Sequence, residues 1–232
     1  MRVSVVRRWV ILALSFFLVG CGDGPHSRLG PLLGVQIEDH VADPLWPEPR
    51  RIGLVLHSDA TGPDAAPSIS QPFLETLGRR TEAFLIRRCG IATVEPIEFP
   101  SQTGQEQIRE EFISRGQKMG ISHLLLVVLS SREYSGPVTL GEERMMTQMS
   151  GAVVENTAFA EVALLRLADY VATFNLPGSA TEDLELLDVP IGKGQPTRHQ
   201  SLEILRAQAG QQALDRSLHN LGRWCEGIPE KN

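Results

Sequence analysis

The most enzyme-like residues of this chain are consecutive: His57, Ser58 and Asp59. A base, a hydroxyl and a carboxylate are the parts of a nucleophilic triad. At the end of a strand, however, neighbouring side chains point to opposite faces, so three successive residues cannot assemble a triad among themselves. The six histidines, at 26, 40, 57, 123, 199 and 219, show no His-x-x-x-His spacing, and no Cys-x-x-Cys pair occurs. A metal centre has no ligand set here, and no cofactor is expected. Gly192-Lys193-Gly194 lacks the earlier glycine and the following Ser or Thr of a phosphate-binding loop, and reads as a plain loop. Glu106, Glu110 and Glu111 read as a solvated helix face rather than an acid/base pair. Arg79, Arg80, Arg87 and Arg88 form a dense positive group. They suit contact with an acidic partner or a lipid headgroup, or are simply an exposed face. Met145, Met146 and Met149 suit an adaptable contact surface, a core or a flap. With no catalytic constellation, the chain is not expected to be an enzyme.

Cysteine carries the more definite chemistry. Residues 1–8 hold Arg2, Arg7 and Arg8 and no acid; an apolar run of about a dozen residues follows to Gly20, and then comes Cys21. The run is short for a bilayer span, which takes ~20 residues. Leu18-Val19-Gly20-Cys21 resembles the lipobox of bacterial lipoproteins. That resemblance implies a signal peptide over residues 1–20, cleavage before Cys21 and acylation of its thiol. Burial of acyl chain contributes ~0.8 kcal/mol per CH₂, so a diacylglyceryl group with an added N-acyl chain anchors stably without a transmembrane helix. By the same resemblance, Gly22 in place of Asp directly after the cysteine favours the outer membrane, facing the periplasm. Cys89 and Cys225 remain, each at the C-terminal end of an expected helix, in an oxidising compartment. They are either bridged across 136 residues or two separate buried thiols.

Composition sets the class. Of 232 residues, 42% are hydrophobic and 22% charged, which fits a globular chain and excludes a disordered or multi-span one. Removing the three leader arginines leaves 19 basic against 28 acidic residues, a net charge of −9. An acidic body argues against nucleic acid as a partner. The expected partners are the membrane, through Cys21, and another envelope protein.

The elements that position these residues follow from periodicity and punctuation. Residues 21–50 contain Pro25, Pro31, Pro44, Pro47 and Pro49 among several glycines, with no sustained apolar period, and read as a lipidated tether. Within it, Leu32 to Ile37 is apolar enough to dock, an edge strand being one form. The folded body is expected over residues 51–228. Arg51 to Leu56 is a buried strand, followed by a helix behind Ser70 and Pro72 that stops at Gly90, and then a strand over residues 91–99. Thr103-Gly104-Gln105-Glu106 matches a capping box that opens a second helix, ended by Gly120. Ile121 to Leu129, which contains Leu-Leu-Leu-Val-Val-Leu, should be a central strand covered on both faces. Residues 132–155 are poorly defined, a further strand or a flap. Residues 157–167 and 171–176 read as an antiparallel hairpin turning near Asp169, with a helix as the alternative for 157–168. Residues 177–197 read as a loop, and 201–224 as a closing amphipathic helix. The expected fold is α/β: a single mixed-sheet sandwich, β-α-β-α-β followed by an antiparallel hairpin and a C-terminal helix.

The leader with its lipobox, the Pro-rich tether, Arg51-Ile52-Gly53-Leu54-Val55-Leu56, Leu124-Leu125-Leu126-Val127-Val128-Leu129, Asn175-Leu176-Pro177-Gly178 and the last helix together resemble the rhombotarget-type lipoproteins. More distantly, the layout is similar to the periplasmic domains of the curli secretion lipoprotein and of the penicillin-binding-protein activator lipoprotein. The resemblance carries no catalytic residue. The anchor, the long tether and the missing catalytic set lead to a non-enzymatic envelope protein that binds or positions another envelope component. The alternatives are a subunit of an outer-membrane secretion or pore assembly and an enzyme with an unfamiliar site around His57 and Asp59. Cys21→Ser is expected to leave the chain unprocessed or released from the membrane; unchanged sedimentation of that variant with membranes removes the anchor.

Overall fold

Leu124, Leu125, Leu126, Val127, Val128 and Leu129 are each no more than 3% exposed. Alternate side chains of a strand point to opposite faces, so this run must be covered on both. The computed structural model describes residues 27–37, 51–62, 64–101, 104–140, 149–187 and 196–226. In chain order the elements are α1 (Leu29–Leu33), β1 (Gln36–Ile37), β2 (Arg51–Asp59), α2 (Gln71–Arg88), β3 (Thr93–Pro96), α3 (Gln105–Met119), β4 (His123–Leu140), β5 (Met149–Arg166), β6 (Val171–Leu187) and α4 (Arg198–Cys225). The sheet runs β1-β6-β5-β4-β2-β3. β2 is parallel to β3 and β4, β4-β5-β6 is an antiparallel meander, and β1 lies parallel to β6. This is the α/β mixed sheet with a hairpin and closing helix that periodicity predicts.

Each sheet face has its own core. On the first face, Ile52, Leu54, Leu125, Val127, Leu129, Val162 and Leu164 pack under Leu77 and Leu85 of α2 and Ala213, Leu214, Leu218 and Leu221 of α4. On the second, Val55, Leu124, Leu126, Val128, Ala163 and Leu165 pack under Phe112 and Ile108 of α3 and Leu29 and Leu33 of α1. Gly53 sits where the second layer presses closely on β2: a Cβ there would lie 2.5 Å from both Ile97 Cδ1 and Leu124 Cδ2. Cys89, the C-cap of α2, and Cys225, the last residue of α4, form a disulfide that ties the two first-face helices together.

Four expectations are corrected. The segment read as a tether, residues 21–50, enters the fold by Ser27: Leu29 and Leu33 are fully buried, and Gln36 and Ile37 pair with Val171 and Ala172. The folded body therefore begins before residue 51, because two leucines one helical turn apart outweigh the flanking prolines once a sheet face needs covering. Residues 22–26 and 38–50 lie outside the described residues. The capping box at Thr103 is displaced: α3 starts one residue later, with Gly104 as N-cap and no side-chain cap. Thr103 is itself outside the described residues. The box that forms is at α4, where Thr197 and Gln200 cap each other reciprocally. Finally, the region read as flap and loop is largely strand. β4 runs on to Leu140, β5 begins at Met149, and β6 passes through Pro177 to Leu187. Pro177 is tolerated because β6 pairs with β1 only at its first residues, leaving that side as a sheet edge where no N–H is needed.

Beyond the Asp59–Ser130 pair, β4 leaves β2, and β4-β5-β6 continue as a three-stranded finger. From Ser130 to Leu140 it extends roughly 33 Å at ~3.3 Å per residue. The first half of α4 covers one side of it. There Arg206 makes a two-pronged ion pair with Glu133, at 2.7 and 2.9 Å, and Gln212 donates to Glu182. The side chain of Asn156 between those acids is fully buried and meets no hydrogen-bond partner among the described residues.

The disulfide closes a long loop, so its loss should be visible in unfolding. Replacing both Cys89 and Cys225 by Ser is expected to lower the unfolding free energy by about 2–5 kcal/mol. Urea titration of the oxidised protein and the double variant checks this; coincident curves would mean that the packed helices suffice.

Candidate functional site

Ordinary strand alternation separates the enzyme-like triplet. Ser58 faces the first core, where its Oγ accepts a hydrogen bond from Ile69 N at 3.0 Å. His57 faces the other way and stacks on Phe99 with ring centroids 3.8 Å apart. Burial pushes the imidazole pKa down, opposed in part by the charge of Asp59. Asp59 is 2% exposed and fully engaged. It accepts from Arg28 Nε at 2.6 Å, from Thr61 N at 2.9 Å and from Thr61 Oγ1 at 2.6 Å. Burial alone would raise its pKa, but the arginine and the two threonine donors outweigh burial and hold the carboxyl below its usual range. The three residues thus serve three separate contacts and form no nucleophile.

A polar centre does exist on the second face, and it lies where the N-terminal segment docks. Besides its bond to Asp59, Arg28 donates its backbone N–H to Glu161 Oε2 at 2.6 Å, and Asn175 Nδ2 donates to Glu161 Oε1 at 2.9 Å. Glu161 is 7% exposed on β5, one of the two central strands of the sheet. Arg28 also reaches Thr61 Oγ1 through Nη2 at 3.0 Å. The strap formed by Ser27 to Ile37 is then held along its length. Gln105 Nε2 donates to the carbonyls of Gly30 and Pro31, and Gly34 ends α1 in the left-handed region that a glycine adopts without strain. Beside Arg28, a cavity of about 330 Å³ is lined by Ser27, Ser130, Phe159, Glu161, Asn175 and Ser179, among others. Ser27 Oγ and Asn175 Oδ1 are buried there without a partner among the described residues.

Sequence reasoning missed Arg28, Glu161 and Asn175. The available signal was Glu161 itself, an acid within the apolar hairpin stretch, which demands donors on whichever face it occupies.

Three of the four arginines, Arg80, Arg87 and Arg88, line one groove between α2 and α4 together with Asp215 and His219. Arg80 pairs with Asp215 and Arg88 with Glu226, each at 2.9 Å, so both join α2 to α4. Arg87 Nε bonds the Ala83 carbonyl, and Arg79 lies along a different groove, between α2 and β3. Cys21, His26, His40, Met145 and Met146 lie outside the described residues. Among the described residues, no group of three His, Cys, Asp or Glu could hold a metal ion, and no helix is long and apolar enough to cross a membrane.

No family model and no curated protein matches the chain. Solved structures with a similar outline include a putative neuraminyllactose-binding hemagglutinin homolog from Helicobacter pylori (10% identity, TM-score 0.43, covering 76% of this chain and 90% of that one). Others are rare lipoprotein B from Shewanella oneidensis (15%, 0.31, 76% and 98%) and lipoprotein GNA1162 from Neisseria meningitidis (11%, 0.30, 73% and 99%). At such identities and scores the likeness is one of outline alone.

The Arg28–Asp59 contact should be measurable through pH. A carboxylate whose folded pKa is depressed adds stability that is fully present above its unfolded pKa of ~3.9 and is lost as pH falls through the folded value. Asp59→Asn is expected to be about 1–3 kcal/mol less stable than the parent near neutrality. The difference should shrink below about pH 4. Urea unfolding at pH 7 and pH 3 checks the sign; a gap that widens in acid contradicts it.

Proposed function

We propose that this chain is a non-enzymatic, lipid-anchored envelope protein that binds or positions another envelope component, with its body in the periplasm and its anchor in the outer membrane. The observation that carries the proposal is Leu18-Val19-Gly20-Cys21 behind a positively charged apolar leader. The Cys89–Cys225 bridge fits an oxidising compartment. The dispersal of His57, Ser58 and Asp59 among unrelated structural contacts supports a role in binding rather than catalysis. The layout that resembles the rhombotarget-type lipoproteins agrees with this assignment.

A pore or secretion subunit would need strands with one lipid-compatible face of ~9–11 residues. The finger has the length, but Arg132, Glu155 and Asp183 occupy one of its faces and Glu133 and Glu182 the other. Charge on both faces does not suit a membrane-spanning wall.

Intact mass measurement of the chain purified from membranes tests the anchor. The expected N-terminus is Cys21 bearing acyl mass; a chain still starting at Met1, or cleaved without acyl mass, overturns it. Crosslinking in intact cells tests the partner: one envelope protein should be captured reproducibly, and failure to capture any counts against a positioning role.

A further inference from the structure

We infer that the face of the β4-β5-β6 finger left bare by the described helices lies against the bilayer that holds the anchor. The inference rests on acylation of Cys21 and follows from where the strap docks. Only residues 22–26 separate Cys21 from Ser27, so the leash reaches roughly 20 Å even when fully extended, at ~3.3–3.6 Å per residue. A body of this size is wider than that: its radius of gyration should be about 16 Å, so it is roughly 40 Å across. A short leash on a wide body turns the face that bears the exit point towards the membrane.

That face is identified by contacts. Ser27 lines the cavity at the base of the finger with Ser130, Phe159 and Ser179, all on the second sheet face. Arg28 is fixed on Asp59 and on buried Glu161, so the exit point cannot wander while the strap is docked. Successive cross-strand rows of the same face carry Arg132, Thr157 and Thr181, then Tyr134, Glu155 and Asp183. Among the described residues, α1 and α3 cover this face only over the core, and α4 covers the opposite one. Tyr134 is 72% exposed. A tyrosine in such a position suits the headgroup layer, where an apolar ring and a polar hydroxyl are both accommodated. Glu185 follows in the next row of this face, so it carries three acids against Arg132, which suits a zwitterionic rather than an anionic surface. With roughly 33 Å of finger beyond Ser130 and a shorter leash, the finger lies along the membrane instead of standing away from it.

The test uses the full chain, matured in a diderm bacterium, purified from membranes and reconstituted in phosphatidylcholine vesicles. Benzoylphenylalanine replaces Tyr134 or Thr181 on the inferred face, or Arg79 or Ile204 on the exposed surfaces of α2 and α4. After illumination, phospholipid adducts are counted by mass. Positions 134 and 181 should give at least fivefold more adduct than 79 and 204. A twelve-residue Gly/Ser insert after Gly24 should abolish that preference. Equal adducts at all four positions, or a preference that survives the insert, overturn the inference. If the purified chain carries no acyl mass, the anchor assignment fails separately. The geometry is then tested by coupling the Cys21 thiol to a maleimide-headgroup lipid, with the same preference supporting it and equal labelling refuting it.

Discussion

Two carboxylates buried on one sheet face, Asp59 and Glu161, need donors, and both find them in Arg28. An uncompensated buried charge costs several kcal/mol, whereas a paired and hydrogen-bonded one is tolerable. The guanidinium serves Asp59 and the backbone N–H serves Glu161, so one residue of the N-terminal segment satisfies two strands at once. The rest of the strap depends on that contact. With Arg28 in place, Leu29 and Leu33 fall onto the apolar surface of the second core, and Gln36 and Ile37 reach the edge of β6. The strap thus completes the second layer of a sandwich in which α3 alone would leave part of the sheet bare.

The opposite layer is held differently. α2 and α4 cross the first face, joined by the disulfide at one end and by Arg80–Asp215 along their length. The bridge has the larger consequence, because it closes a 136-residue loop in the unfolded chain, while half-exposed ion pairs contribute little. α4 continues past the core onto the finger, where Arg206 and Glu133 fix its first half against β4. One helix therefore links the packed body to the projecting arm. Among the described residues the arm is covered on one side, and Ser27 lies beside the other.

Much of this was legible in the chain. The alternation and length of apolar runs locate β2, β4 and the start of the β5-β6 hairpin, and glycines 90 and 120 end their helices as expected. Legibility failed where local and tertiary preferences disagree. Pro31 and the surrounding glycines argue for a linker, yet two leucines make that stretch a lid on the sheet. Pro177 argues for a loop, yet it lies on a free sheet edge. Residues 132–137 look too polar for a strand, but their partners in β5 supply the backbone hydrogen bonds regardless of side chain. His57, Ser58 and Asp59 were correctly read as no triad from alternation alone, while the partner of Asp59 was out of reach.

What the sequence by itself determined are properties carried by neighbouring residues: the strand and helix periods, the α/β order, the acidic balance and the lipobox-like pattern Leu18-Val19-Gly20-Cys21. What only the tertiary structure decided is which segment covers which sheet face. Arg28 meets Glu161 across 133 positions of sequence, and no local pattern encodes such a meeting. It arises because buried carboxylates and bare apolar faces must be satisfied by whatever the folded chain brings within reach, and that is a property of the assembled sheet.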